Sequence, residues 1–150
     1  MAGLESAGPG FLRTRADLKL THARVAAFGA TRRHNLTCDD DPSIQSLLKA
    51  ETPVVTIFGK SWLLHVKDAL RLSPQGNLKL SKTLMRYLSA RASCVIYDAE
   101  HFFDGYKTDP EYALASLRAA AVASPYRIVL CDTNGGSLPE TVARVTREVS

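Results

Sequence analysis

Four short apolar runs recur along this chain at about the interval occupied by one strand and one helix of a βα unit. They are Ala23-Arg-Val-Ala-Ala-Phe-Gly29, Pro53-Val-Val-Thr-Ile-Phe-Gly-Lys60, Cys94-Val-Ile-Tyr97 and Ile128-Val-Leu-Cys131. Each reads as a continuous apolar stretch rather than an apolar–polar alternation, which predicts strands buried on both faces and therefore a parallel sheet. Helical patterns lie between them. Ile44, Leu47 and Leu48 follow start signals at Pro42 and Ser43. Trp62, Val66, Ala69 and Leu70 give the next segment an apolar face, and Leu80, Leu84, Tyr87 and Leu88 do so for the one after it. The segment from Glu111 to Ala123 is rich in alanine and leucine, and Pro139 opens a last helix to about Glu148. Ser73-Pro-Gln-Gly76 is expected to end a helix early or to insert a loop. The fold class is α/β with about four parallel βα units. A closed (β/α)8 barrel needs eight such units in about 250 residues, so the choice lies between a small open sheet and part of a larger barrel.

The 150 residues are 45% hydrophobic with a net charge of +4, enough for one ordinary domain with a real core. The basic residues are scattered, so a nucleic-acid partner is not expected. Cys38, Cys94 and Cys131 leave one thiol unpaired under any intramolecular scheme and lack a C-x-x-C spacing, which fits a reduced, cytoplasmic setting. There is no run of about eighteen apolar residues, so no membrane span is expected. Residues 1–17 lack the basic and apolar regions of a secretory signal and read as a loose tail preceding a domain at 18–150.

Two of the runs end abruptly in polar chemistry. The run from Cys94 breaks into Asp98-Ala-Glu-His-Phe-Phe-Asp-Gly-Tyr-Lys107, and the run from Ile128 into Asp132-Thr-Asn-Gly-Gly136. In parallel α/β proteins, ligands bind beyond the carboxyl ends of the strands, and in (β/α)8 barrels those ends and their loops carry the catalytic groups.

With these motifs the chain from about Leu18 onward resembles the citramalate synthase branch of the 2-isopropylmalate/homocitrate synthase family. The matching stretches are Ala23 to Arg33, Thr52 to Trp62, Val95 to Lys107 and Val129 to Gly136. They are similar to the third to sixth strands of that family's metal-dependent, HMG-CoA lyase-like barrel, so the fold is expected to be a partial (β/α)8 barrel. The resemblance implies a Claisen-type condensation of acetyl-CoA with a 2-oxo acid, pyruvate in this branch, giving citramalate for isoleucine biosynthesis. It implies a homodimeric parent enzyme and a divalent cation (Mg, Mn or Zn) that polarises the ketone. The family's metal ligands are an Asp of a first-strand Asp-x-x-x-Arg-Asp-Gly motif and two histidines of a seventh-strand His-x-His. Neither motif occurs among these residues, so no metal ligand is assigned here and the chain is expected to be a fragment that is inactive alone.

By the same resemblance Glu100 is the catalytic candidate, the strand-end acid that faces the 2-oxo acid, although a loop acid near a helix start would look the same. Thr133 matches the Asp-Thr-x-Gly motif whose hydroxyl is similar to a donor to the substrate carboxylate, while Asp132 orients the loop. The same residues would equally serve an Asx turn and a helix cap. His101 and Asp104 are further substrate-pocket candidates, with a structural histidine as the simpler reading. Lys60 could meet an anionic group or be a solvated lysine. Arg32 and Arg33 read as surface charge, Asp39-Asp-Asp41 as a loop ending in a helix cap, and His65 as a helix-packing or capping residue. The alternatives are a 2-isopropylmalate or homocitrate synthase fragment, a non-catalytic flavodoxin-like binding module, and a silent paralogue.

Overall fold

The computed structural model describes residues 20–150; the expected tail at residues 1–17 lies outside them. Four strands, β1 (Ala26–Ala30), β2 (Val54–Lys60), β3 (Val95–Glu100) and β4 (Arg127–Leu130), form one sheet in the order β1-β2-β3-β4, and every adjacent pair is parallel. Six helices connect and follow them among the described residues: α1 (Pro42–Lys49), α2 (Leu63–Asp68), α3 (Pro74–Ser89), α4 (Phe102–Thr108), α5 (Pro110–Ala121) and α6 (Pro139–Val149).

Helix starts are written in the sequence. Proline stands first in α1, α3, α5 and α6, where its missing N–H leaves no hydrogen bond unmade. Asp41, Ser73 and Asp109 cap the first three, accepting from the backbone N–H groups of Ser43, Gly76 and Tyr112 at 2.9, 3.0 and 2.9 Å. The preceding helix does end early, at Asp68, as expected of this segment, but Ser73 itself caps a new sixteen-residue helix, so Pro74 to Gly76 are helical and not a loop.

The register separates the two faces of the sheet. Ala27, Val55, Ile57, Val95, Tyr97 and Ala99 point to one side and join Ile44, Leu47, Leu84, Met85, Leu88, Phe102, Ala113 and Val145 in a single core. Each fully buried Leu or Met there contributes about 1.5–3 kcal/mol. The opposite face carries Phe28, Phe58, Ile96, Asp98 and Val129, and it is open: Phe28 is 50% and Val129 39% exposed.

The expectation of strands buried on both faces therefore holds only for β2. β3 alternates buried with half-buried positions, and the edge strands β1 and β4 are largely exposed, because helices pack against one face alone. Ala69, assigned to an apolar helix face, is also exposed, since α2 ends at Asp68 and only its Val66 is buried.

Strand order decides between the two parallel architectures. A doubly wound sheet, the flavodoxin-like alternative, reverses its strand order so that helices cover both faces. Here the order is sequential and the helices share one face, which is the wall of a partial (β/α)8 barrel whose lumen side is the open face.

Candidate active site

In a parallel sheet all carboxyl ends fall on one rim, and the polar strand-end motifs meet there. Lys60, the last residue of β2, is the register partner of Glu100, the last of β3. Their side chains form an ion pair in which each is only about a fifth exposed (20% and 23%). The buried Asn77 of α3 fixes this end of β2, donating to the Lys60 carbonyl at 2.9 Å and to the Tyr112 hydroxyl at 2.8 Å.

The chain turns from β3 into α4 at His101, which adopts a left-handed backbone conformation (φ 55°, ψ 35°) that costs a residue with a Cβ about 1–2 kcal/mol. Three bonds hold the turn. The His101 backbone N–H donates to Thr133 Oγ1 at 2.9 Å, its Nδ1 meets Asp104 Oδ2 at 2.9 Å, and Asn134 Nδ2 donates to the same Asp104 oxygen at 3.1 Å. Because Thr133 Oγ1 accepts from this N–H, its own O–H is left to donate to a ligand. Trp62 and His65, at the start of α2, lie against the His101 ring with centroids 5.7 and 4.4 Å away. Gly105 makes this packing possible, since a Cβ there would stand 2.4 Å from the Ser61 carbonyl oxygen.

The electrostatics follow from burial. Desolvation pulls the His65 imidazole below its ordinary value, with the neighbouring His101 and Lys60 acting in the same direction. Burial raises the Asp98 carboxyl on the open face, and burial with the nearby acids Asp98 and Glu100 pushes the Cys131 thiol up to about 11. Beneath the rim, Tyr97 is fully buried and pushed up to about 12 by desolvation. The hydroxyls of Ser61 and Ser81 approach the Tyr97 hydroxyl, but none of the three reaches hydrogen-bond geometry.

The fold thus gathers Lys60, Glu100, His101, Asp104 and Thr133 on one rim. Asp132 shapes the β4–α6 loop, accepting from the backbone N–H and the hydroxyl of Ser137 at 3.0 and 3.1 Å, and it does not cap α6. Arg32 is committed to its own loop through the carbonyls of Arg33 and Leu36 at 3.0 and 2.6 Å. Three neighbours of this rim escaped the sequence reading: Asn134, Trp62 and the ring contact of His65, which makes no cap. The i, i+3 spacing of Trp62 and His65 on one helical turn was the available signal.

Among the described residues no group of three His, Cys, Asp or Glu side chains comes together to hold a metal ion. His101 and Asp104 engage each other, and Glu100 is paired to Lys60. These residues do not fit the divalent cation of the family chemistry, and no step is derived through one.

Comparison with known proteins decides the relationship. The chain is 50% identical over 139 residues to the (R)-citramalate synthase of Aquifex aeolicus, a match covering 93% of this chain and 26% of that protein. It is 51% identical over 131 residues to the (R)-citramalate synthase of Geobacter sulfurreducens, covering 87% of the chain and 25% of the relative. The chain belongs to the citramalate synthase family. It spans about a quarter of the length of these curated relatives. A 2-isopropylmalate synthase of Lactococcus lactis subsp. cremoris matches more distantly, 25% identical over 107 residues and 71% of the chain. No family model matches the chain.

Proposed function

We propose that this chain forms the substrate-facing wall of an enzyme that condenses acetyl-CoA with pyruvate to citramalate. The observation that carries the reading is the rim itself: in a chain 50% identical to a citramalate synthase, Lys60, Glu100, His101, Asp104 and Thr133 stand together at the carboxyl ends of parallel strands.

A Claisen-type condensation asks a site to hold a 2-oxo acid carboxylate, to stabilise the alkoxide that forms from its ketone, and to move a proton from a weakly acidic methyl group. The Thr133 hydroxyl and the Lys60 ammonium suit the carboxylate and the developing negative charge, one as a neutral donor and the other as a cation. Glu100 is the proton-moving or hydrogen-bonding carboxylate, held at the strand end by its ion pair with Lys60. Asp104 takes the His101 Nδ1, so any contact from that ring to a ligand comes from Nε2. Residues 18–150 act in this reading as one part of the catalytic barrel domain. Pyruvate is favoured over a bulkier 2-oxo acid because the 2-isopropylmalate synthase match is much weaker than the citramalate synthase matches.

A segment exchange tests the proposal. The matching segment of the Aquifex aeolicus (R)-citramalate synthase is replaced by this chain, and CoA release is followed with acetyl-CoA and either pyruvate or 2-oxoisovalerate. Pyruvate-dependent release within about tenfold of the parent is expected. A folded chimera with no activity, or with a preference for 2-oxoisovalerate, refutes it.

A further inference from the structure

His65 is the rim residue that neither the proposed chemistry nor ordinary packing accounts for. It is half-buried in α2, and its Nδ1 is buried without a hydrogen-bond partner. An imidazole is an expensive way to fill such a place, because a buried polar atom left unmatched costs stability that a leucine of similar size would not lose. The ring is nevertheless locked between two others, 4.8 Å from the Trp62 ring and edge-on to His101 at 4.4 Å with planes at 83°. Burial pulls its imidazole below the ordinary value, with His101 and Lys60 acting in the same direction.

The partner in that edge contact is the ring whose tautomer matters to the rim. His101 sits at a left-handed turn and is tied through Nδ1 to Asp104, whose same oxygen also accepts from Asn134. Asp104 of α4 holds this imidazole at one nitrogen only; the wall beside the ring comes from α2, as His65 and Trp62.

We propose that His65 is a positioning residue of this site: its ring, packed edge-on against His101, holds the His101 imidazole with Nδ1–H directed to Asp104, so that Nε2 presents a fixed lone pair at the rim. This rests on the reading of the rim as the 2-oxo acid site, and it adds a residue and a task to it. The role is exerted through His101, not on substrate.

The test separates positioning from packing. Imidazole 15N shifts of the 150-residue chain at neutral pH report the His101 tautomer, and thermal melting reports stability. In the parent chain His101 is expected to be predominantly Nδ1–H. His65→Phe, which keeps a flat ring against His101, is expected to retain that tautomer. His65→Leu is expected to shift His101 to a mixture of tautomers while melting at the same temperature or higher. If His65→Leu does not fold, His65→Gln is read in the same way. An unchanged His101 tautomer in the variant without a ring overturns the proposal, as does loss of the tautomer in His65→Phe. In the citramalate synthase chimera, His65→Leu is expected to raise the pyruvate KM about tenfold with kcat altered less than about threefold. A fall in kcat alone counts against positioning. The tautomer arm needs no substrate, so a chimera inactive with His65 intact refutes the functional reading and leaves the His65 result standing.

Discussion

Glu100 owes its environment to one neighbour. Lys60 faces it across the β2–β3 register, and the pair sits at a strand end where the two strands are paired in parallel. In the active chimera, Glu100→Gln keeps the shape and removes the proton-accepting charge; it is expected to lower kcat by about 100-fold or more with a smaller change in KM, measured by CoA release. Cys131 makes a second residue-scale case. Its thiol is pushed up to about 11 by burial and by Asp98 and Glu100, so little thiolate is present near pH 8. Its alkylation by iodoacetamide, followed by mass spectrometry, is expected to run at least roughly tenfold slower than that of an unperturbed thiol and to accelerate only as pH approaches 11. Glu100 and Thr133 were legible in the sequence in two steps: a parallel strand puts whatever follows its apolar run on the rim, and the family resemblance singled out these two among the residues that land there. His65 was not, because its position depends on the direction in which α2 leaves β2, and the residues of α2 do not specify that direction.

The elements were legible where local chemistry was unambiguous. The Pro42, Pro110 and Pro139 starts behave as their sequences demand, and Asp41 caps α1 while also accepting from the Arg33 N–H at 2.7 Å. α4 was missed. Its Phe-Phe-Asp-Gly-Tyr-Lys-Thr sequence contains aromatics and a glycine of low helix propensity, and tertiary packing of Phe102 and Phe103 overrides that preference. Gly105 is the sharpest point of this override: α4 lies so close to the β2–α2 turn that an added methyl meets backbone rather than a yielding side chain. Gly105→Ala is expected to destabilise the chain by roughly 2–3 kcal/mol, measured by urea unfolding, and to displace the His101 turn despite alanine's better helix propensity. A neutral or stabilising result would mean that α4 is not seated against Ser61.

At the scale of the molecule, the helix-covered face sets the response to alkali. Tyr97 ionises near 10 in an unfolded chain and at about 12 when buried, so the folded state gains relative stability from its protonated phenol below pH 10. That contribution is lost as pH rises from 10 to about 12, because the unfolded chain releases its proton first. The loss is of order 3 kcal/mol, and denaturant midpoints measured across that range are expected to fall steeply, with Tyr97→Phe flattening the decline. The two-sided burial read from the apolar runs was the main error at this scale: hydrophobic content shows that a strand is suited to burial and says nothing of which neighbours are there to bury it. The sequential strand order carries a consequence for how the chain acquires its shape. Among the described residues each later strand pairs with the one made just before it, so the contacts that join one βα unit to the next close over short stretches of chain, and this part of the sheet can grow one unit at a time.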